Sequence, residues 1–332
     1  MDTPKTTIVM VGPTGVGKTS LLAAMYKEID GELAACGCTL STEPGPTQRA
    51  INDQLKELKK VANGTGMKVQ IGEGIDGTQQ ERRYRFQLSV GNGGEPDVIL
   101  DFVDLPGGWY TGTGEYERAD KVLGESHVSF LAVDATALME SQGSDTGGFG
   151  RYHEELNSPL DIIESYKRVN FMAGHIVVLV LIRAESYVKS GSVDVMLEKA
   201  AQAYGELARK LGKKNIPLFS CYVETMGSLT FNSFTESQGR IEARFIRDPK
   251  KGYQPSRCAI PLRIAAGKAL YDTMLANDVE VEKKATITAK IKDWLGIETD
   301  LKRAKERQER VRKAFDLLGS KIEDEDFIKI EP

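Results

Sequence analysis

Short apolar runs recur along the chain at lengths that suit buried β-strands. Most of them are almost wholly apolar, which is typical of parallel strands that helices cover on both faces. The runs lie at residues 8–11, 84–90, 98–103, 128–133, 176–182 and 216–223. Helical patterns separate most of them, at about 47–62, 115–124, 159–169 and 193–211. This alternation predicts an α/β fold whose sheet is doubly wound and mainly parallel.

The run at 84–90 has a different pattern from the others. Apolar and polar residues alternate along it, which predicts an edge strand with one face in water. The residues at 91–94, Gly-Asn-Gly-Gly, leave too little chain for a helical crossover, so the runs at 84–90 and 98–103 are expected to form a hairpin. The mainly parallel sheet is therefore predicted to contain one antiparallel edge strand.

The first apolar run leads directly into a glycine-rich loop and a helix-forming segment. Residues 12–20 read Gly-Pro-Thr-Gly-Val-Gly-Lys-Thr-Ser, a P-loop in the structural context that the motif requires. Its glycines let successive backbone N–H groups curl around an anionic phosphate chain. Lys18 is expected to reach the β- and γ-phosphates as a catalytic residue, and the Thr19 hydroxyl to ligate Mg²⁺. The predicted nucleotide-binding residues of this loop are Gly12, Pro13, Thr14, Gly15, Val16, Gly17, Lys18, Thr19 and Ser20.

The P-loop predicts a P-loop NTPase, built as a three-layer α/β sandwich, and a second motif narrows the class. The strand at 98–103 runs into Asp104-Leu105-Pro106-Gly107, an Asp-x-x-Gly sequence. In GTPases this Asp holds Mg²⁺ through water and the Gly N–H meets the γ-phosphate. Asp104 is therefore the expected metal residue, with Asp101 as the alternative, and Gly107 is an expected catalytic residue. A ring-forming ATPase would more often carry Glu at position 105.

With these residues the chain resembles the Ras-like, translation-factor-related GTPases, and more closely the bacterial double-GTPase-type proteins of conflict and signalling gene clusters. The resemblance covers roughly residues 6–275. It implies a Mg²⁺-dependent switch that binds GTP and GDP. It also implies that Thr78, ahead of the strand at 84–90, is the catalytic switch threonine that closes over Mg²⁺ and the γ-phosphate. A simple turn residue is the alternative at that position.

The resemblance also places the base-reading residues. Residues 182–185, Ile-Arg-Ala-Glu, stand where GTPases carry Asn/Thr-Lys-x-Asp, whose carboxylate accepts two guanine N–H bonds. Arg183 can stack on a purine, and Glu185 can accept hydrogen bonds if its longer side chain is set back. Glu224 begins the sequence in the place of the loop whose backbone touches the base. All three are expected to bind nucleotide, and guanine specificity is inferred from the family.

One departure from the family affects the reaction. Gly108 occupies the place of the glutamine that orients the attacking water in Ras-like enzymes, and it has no side chain to do so. Gln79, Gln80 and Glu115 are candidate substitutes, and an arginine from a regulatory protein is another. Without either, turnover is expected at the intrinsic Ras rate of roughly 10⁻⁴ s⁻¹.

Two alternatives to a GTPase stay open. The first is a nucleotide-binding interaction module that does not hydrolyse its nucleotide, which Gly108 favours. The second is an ATPase or small-molecule kinase, which the altered base-reading motif favours. A kinase would need an arginine-bearing lid, and the arginines at 240–257 are candidates for one.

The composition of the chain indicates which ligands it does not bind and in which compartment it is expected. The 332 residues carry a formal net charge of −4, which gives no overall attraction to nucleic acid. Four cysteines without a Cys-x-x-Cys pair and three scattered histidines indicate neither a zinc site nor a disulfide framework. The longest apolar run, at 176–182, is too short to span a membrane, so a cytoplasmic protein is expected.

The C-terminal part is denser in charge than the rest. Residues 1–276 are expected to form the GTPase-like domain, with long insertions in the switch regions and an irregular basic stretch at 227–261. Residues 277–332 are expected to add charged helices and an acidic tail. The apolar spacing from Leu301 to Leu318 predicts an amphipathic helix that packs on the core. Binding of a partner or nucleotide-dependent dimerisation is the alternative use of that helix.

Overall fold

The computed structural model describes residues 3–71, 80–91, 95–110, 115–141, 150–237, 240–290, 297–319 and 328–330. The strands are β1 (Lys5–Val11), β2 (Cys38–Thr42), β3 (Lys68–Ile71), β4 (Arg82–Val90), β5 (Val98–Asp104), β6 (Val128–Asp134), β7 (Ile176–Ile182), β8 (Leu218–Tyr222), β9 (Leu229–Ser237), β10 (Arg240–Arg247) and β11 (Ile328–Lys329). The helices are α1 (Lys18–Ala35), α2 (Pro46–Asn63), α3 (Tyr116–Gly124), α4 (Ala135–Glu140), α5 (Arg151–Asn157), α6 (Pro159–Arg168), α7 (Glu185–Ser190), α8 (Val193–Gly212), α9 (Ala259–Lys290) and α10 (Ile297–Gly319).

A sheet of eight strands in the order β11-β8-β7-β6-β1-β5-β4-β2 forms the centre of the fold. Strands β8, β7, β6, β1 and β5 pair in parallel, which confirms the predicted mainly parallel sheet. The carboxyl ends of parallel strands meet at one edge of a sheet, and ligands of open α/β folds bind outside that edge. The segments that follow β1, β5, β7 and β8 carry most of the predicted site residues, so these residues gather at the same edge.

Strands β4 and β5 form the predicted antiparallel hairpin, in which Arg82 lies opposite Asp104. The prediction of a single antiparallel edge strand is wrong. Strand β2 pairs antiparallel with the outer side of β4, and β11 pairs antiparallel with β8 at the other edge. Strand β2 buries Cys38 and Leu40 but is otherwise made of threonine and serine, and β11 has two residues. Neither segment has the apolar run that marks a strand in a sequence.

Helices cover both faces of the eight-stranded sheet and give it the predicted three layers. One hydrophobic cluster joins α1, α2, α9 and α10 to the face that carries Ile8 and Phe102. Another joins α3, α6 and α8 to the face that carries Val9 and Val103. Adjacent residues of a strand point to opposite faces, which is why neighbours on β1 and β5 enter different clusters. Within the described ranges, no helix has both the length and the apolar character needed to cross a membrane.

A second sheet of three antiparallel strands, in the order β3-β10-β9, corrects the prediction of an irregular stretch at 227–261. Strands β9 and β10 form a hairpin in which the register shifts between Arg244 and Phe245, so the apolar alternation is broken. Phe245 is buried in a small cluster with Leu58 of α2. The basic residue Arg247 is buried as well, and its Nε donates to the carbonyl oxygen of Val61 at 3.1 Å.

Helix α10 packs along α9 and reaches the hairpin of β4 and β5. Val311, Ala314 and Leu318 are buried in the cluster that contains Ile8 and the central strands. The Arg307 side chain donates to the carbonyl oxygen of Asp97, in the turn before β5, at 3.0 Å. Apolar packing and this polar contact therefore join α10 to the main sheet.

Candidate functional site

The segment between β1 and α1 has the backbone conformation of a phosphate-binding loop. Gly12, Gly15 and Gly17 have φ angles of 148°, 78° and 112°, which favour glycine. A Cβ atom on Gly12 would lie 2.9 Å from the carbonyl oxygen of Ala132 on β6, so the loop also needs glycine there for its close approach to the sheet. The Ser20 hydroxyl accepts from Gln54 Nε2 at 3.1 Å and so links α1 to α2.

The Lys18 side chain lies inside this loop and is 5% exposed. Its Nζ donates to the carbonyl oxygens of Gly12 at 2.9 Å and Pro13 at 3.1 Å. Burial lowers the pKa of Lys18, and the charge of Asp104 opposes that shift. A buried ammonium group is stabilised by an anion beside it, and a phosphate chain in the loop would supply one.

The structure brings Thr19 and Asp104 together. Thr19 Oγ1 donates a hydrogen bond to Asp104 Oδ2 at 2.7 Å, and Asp104 is fully buried. The described residues contain no group of three or more His, Cys, Asp or Glu side chains that could hold a metal ion. A hydroxyl and one carboxylate nevertheless suit Mg²⁺, because Mg²⁺ in nucleotide sites takes one or two protein carboxylates together with water and substrate phosphates.

Asp101, the alternative metal residue, lies on the opposite face of β5. Its Oδ2 accepts from Arg83 Nη1 at 2.9 Å and lies 3.5 Å from Lys5 Nζ. Arg85 Nε lies 3.8 Å from Asp101 Oδ1. The Asp101 carboxylate is therefore surrounded by cations of β1 and β4, and Asp104 is the acidic residue of β5 that contacts the P-loop.

Gly107 lies directly against the P-loop backbone. A Cβ atom on Gly107 would be 2.0 Å from the nitrogen of Thr14 and 2.3 Å from the carbonyl carbon of Pro13. Gly107 begins a 3₁₀ turn that ends at Trp109. The structure thus places Asp104 and Gly107 beside the P-loop, and their roles toward Mg²⁺ and the γ-phosphate stay predictions.

A cluster of side chains connects this turn to the start of β4. The Arg118 guanidinium of α3 lies 4.9 Å from the centre of the Trp109 ring. Arg118 Nη2 also donates to Glu81 Oε2 at 3.0 Å, and Arg83 Nε donates to Glu81 Oε1 at 2.8 Å. The 3₁₀ turn, α3 and the start of β4 are thus joined by a cation–π contact and two ion pairs.

The structure describes some, but not all, of the residues predicted to act at the γ-phosphate and the attacking water. Thr78, the predicted switch threonine, and Gln79 lie outside the described residues. Gln80 precedes β4 and Glu115 precedes α3, and both side chains are exposed. Gly108 follows Gly107 inside the 3₁₀ turn.

Arg183 ties the end of β7 to the P-loop. Its Nη1 donates to Asp134 Oδ2 at 2.5 Å and its Nη2 to the carbonyl oxygen of Gly15 at 3.3 Å. Asp134 also accepts from the backbone N–H and hydroxyl of Thr136 and so caps α4. Sequence reasoning missed Asp134, although an Asp after a buried strand and before a Thr is a recognisable helix cap.

Glu185 is 5% exposed and contacts the segment that follows β8. Its Oε1 accepts from the backbone N–H of Met226 at 2.8 Å and of Gly227 at 3.3 Å. Burial raises the pKa of Glu185 to about 7, the two backbone hydrogen bonds oppose that rise, and the charge of Glu224 adds to it. Burial likewise raises the pKa of Glu224, whose backbone pairs with Ser256. The structure therefore brings the predicted base-reading residues together, with one oxygen of Glu185 engaged by the protein.

The second sheet adjoins this side of the site. The Arg183 guanidinium lies 5.9 Å from the centre of the Phe245 ring on β10. On β9, the backbone N–H of Phe231 donates to the Ser186 hydroxyl of α7 at 2.5 Å. The P-loop, the base-reading segment and the second sheet therefore form one connected region.

Comparison with known proteins finds similar solved structures. The sequence matches no protein-family model and no curated protein. Two solved structures of the GTPase-like domain of Ski7 from S. cerevisiae are similar to this chain. The GTP-bound one is 14% identical, with a TM-score of 0.33, and the alignment covers 66% of this chain and 43% of that one. The other, bound to GDP and inorganic phosphate, is 15% identical with the same TM-score and coverage. The chain thus spans less than half the length of either, and these values assign neither a fold nor an activity to it.

Proposed function

We propose that the chain binds guanine nucleotide with Mg²⁺, hydrolyses GTP slowly and works as a molecular switch under the control of a protein partner. The observation that carries this proposal is the meeting of the P-loop with the Asp-x-x-Gly turn. Thr19 donates to Asp104 at 2.7 Å, and Gly107 lies against the backbone of Thr14. Asp104, which would hold Mg²⁺, and Gly107, which would contact the γ-phosphate, lie three residues apart. The turn between them would therefore respond to the loss of the γ-phosphate.

Each group has a role in the proposed reaction. Backbone N–H groups of the P-loop and Lys18 would bind and neutralise the β- and γ-phosphates. Thr19 and Asp104 would hold Mg²⁺, which neutralises charge on the phosphate oxygens when it is bound. The Gly107 N–H would donate to the γ-phosphate. Water attacks the γ-phosphorus in line, the bond to the bridging oxygen breaks, and GDP and inorganic phosphate result.

The strand arrangement supports placement among the Ras-like, translation-factor-related GTPases. The Asp-x-x-Gly turn follows β5, which pairs in parallel with the P-loop strand β1 and antiparallel with β4. Slow turnover and partner control follow from Gly108, because a hydrogen atom cannot orient the attacking water. A partner that supplies a polar side chain to the turn would raise the rate.

Calorimetric titration with GDP, GTP, ADP and ATP in Mg²⁺ tests the proposal. We expect selective guanine nucleotide binding by the native chain. Lys18→Ala should abolish high-affinity binding, because Lys18 reaches the phosphates. Lys27→Ala is the matched control, since Lys27 lies exposed on the same helix and should leave binding unchanged. Equal affinities for the native chain and Lys18→Ala would refute the role of the P-loop.

One observation favours a second candidate, an adenine nucleotide-binding ATPase or kinase. Glu185 Oε1 already accepts from the backbone of Met226 and Gly227, which leaves this carboxylate less free to accept from guanine. If Glu185 reads the base, Glu185→Ala should lower GDP affinity much more than ADP affinity. Tighter binding of ADP and ATP by the native chain would support the second candidate instead.

A further inference from the structure

We propose that Arg82 is a further catalytic residue, whose guanidinium stabilises the charge on the γ-phosphoryl group during hydrolysis; this inference rests on the proposed function. Arg82 is the first residue of β4 and lies directly opposite Asp104 in the antiparallel pair with β5. Side chains of directly opposed residues share one face of the sheet and have Cβ atoms about 5 Å apart. Arg82 therefore leaves the sheet beside Asp104, on the face where α1 and the P-loop begin.

Tyr84 connects Arg82 to the metal-binding pair. It lies two residues further along β4, so it shares the face of Arg82, and it is 3% exposed. The Tyr84 hydroxyl lies within interaction distance of the Arg82 and Thr19 side chains. Thr19 in turn donates to Asp104. Arg82, Tyr84, Thr19 and Asp104 thus form a continuous polar chain at the edge of the P-loop.

The other two arginines of β4 lie near a carboxylate on the other face of the sheet. Arg83 and Arg85 point to the opposite face of the sheet, where both lie within 4 Å of Asp101. Arg82 is exposed, and among the residues that the structure describes no carboxylate lies within ion-pair distance of it. It is therefore the arginine of this strand that is available to an anionic ligand.

The chemistry of the reaction needs such a cation. As the bond between the γ-phosphorus and the bridging oxygen breaks, negative charge spreads over the equatorial oxygens and the leaving oxygen of GDP. A planar guanidinium donates two parallel hydrogen bonds to phosphate oxygens, which a lysine does not. Because Gly108 offers no side chain, charge stabilisation by Arg82 would account for hydrolysis by the chain alone.

The experiment compares binding of GDP with binding of GDP plus aluminium fluoride, a transition-state analogue, by calorimetry in Mg²⁺. The native chain is compared with Arg82→Ala, Arg82→Lys and the control Arg85→Ala. Arg85 is exposed on the same strand, faces the other side, and its carboxylate contacts, with Glu43 and Asp101, are 3.8 Å long. Single-turnover hydrolysis of GTP is measured for the same four proteins.

We expect Arg82→Ala to keep GDP affinity within about twofold, to lose the tighter binding with aluminium fluoride, and to hydrolyse GTP about tenfold more slowly or worse. Arg82→Lys should recover little of either property, and Arg85→Ala should behave as the native chain. Equal aluminium fluoride binding and equal hydrolysis by Arg82→Ala and the native chain would overturn the role of Arg82 alone. Failure of the native chain to bind any guanine nucleotide would overturn the proposed function and this inference with it.

Discussion

The hydroxyl of Thr19 and the carboxylate of Asp104 lie 2.7 Å apart, although the two residues are 85 positions apart in the chain. One belongs to the first turn of α1 and the other to the last residue of β5. Because β5 pairs in parallel with β1, the strand that leads into the P-loop, the sheet itself holds this pair in place. The pair is the proposed Mg²⁺ site, and Asp101 on the opposite face of β5 gives a matched control.

Asp104→Asn should weaken nucleotide binding in Mg²⁺ by about tenfold or more, because an amide replaces a charged metal ligand. Binding in the presence of EDTA should change little. Calorimetric titration with and without Mg²⁺ measures both quantities. An equal loss of affinity in both conditions would mean that Asp104 does not act through the metal.

Asp101→Asn is the contrasting change on the same strand. It leaves Arg83 and Lys5 without their buried carboxylate, so the free energy of unfolding should fall by roughly 1–3 kcal/mol. This range is below that of a fully buried pair because the Arg83 side chain is 40% exposed. Urea denaturation measures the loss. Nucleotide affinity should stay within about twofold, and a selective loss of Mg²⁺-dependent binding would give Asp101 the metal role.

Gly107→Ala should disturb the turn that lies on the P-loop. The added Cβ would meet the Thr14 nitrogen at 2.0 Å, so the turn must move away from the loop. We expect GTP affinity to fall about tenfold and GDP affinity to change much less, because the Gly107 N–H is expected to contact only the γ-phosphate. Calorimetry with GDP and a non-hydrolysable GTP analogue measures this difference.

Gly205→Ala is the control for that substitution. Gly205 lies within α8, and a Cβ there would meet no atom within 4 Å. Alanine should therefore stabilise the helix by roughly 0.5–1 kcal/mol and leave nucleotide binding unchanged. Equal behaviour of the two alanine variants in the binding assay would contradict a special role for Gly107.

Glu185 should make stability depend on pH. Burial raises its pKa to about 7 from the usual 4.5, so the folded state keeps a proton that the unfolded chain releases. The contribution of Glu185 to the free energy of unfolding is therefore complete below about pH 4.5 and is lost as the pH rises to about 7. The shift corresponds to roughly 3 kcal/mol.

Urea denaturation at pH 5 and pH 8 tests this dependence. Glutamine cannot ionise, so Glu185→Gln should lose less stability between these pH values than the native chain does. Glu198→Gln, an exposed change on α8, should follow the native chain. Parallel curves for the native chain and Glu185→Gln would show that the Glu185 carboxyl titrates at its ordinary pKa.

Arg183→Ala should affect both structure and binding. It removes the hydrogen bond to the carbonyl oxygen of Gly15 and leaves the buried Asp134 without its cation. We expect nucleotide affinity to fall about tenfold and the free energy of unfolding to fall by roughly 1–3 kcal/mol. Arg209→Ala, at an exposed position of α8, is the control for both measurements. Unchanged nucleotide affinity of Arg183→Ala would separate this residue from the site.

The sequence predicts best those strands, helices and loops whose residues form a pattern within one short segment. The run from β1 through the P-loop to α1 combines an apolar strand, spaced glycines and a helix stripe, and the hairpin of β4 and β5 follows from a short connection. The second sheet could not be predicted because β3 and β10 are distant in sequence and a register shift interrupts β10 at Arg244. The contact of Arg183 with Asp134 likewise depends on the packing of β6 beside β7, which no local pattern encodes.

The pairing of β3 with β10 also has a consequence for the order of folding. Strand β3 precedes the hairpin of β4 and β5, whereas β10 follows the last parallel strand, so most of the chain must be placed before the two can meet. Closing so long a loop costs entropy that is repaid only when the strands are already held near each other. We therefore expect the three-stranded sheet to assemble last. Because the Phe245 ring beside Arg183 belongs to β10, late pairing with β3 would complete the packing next to the base side of the site.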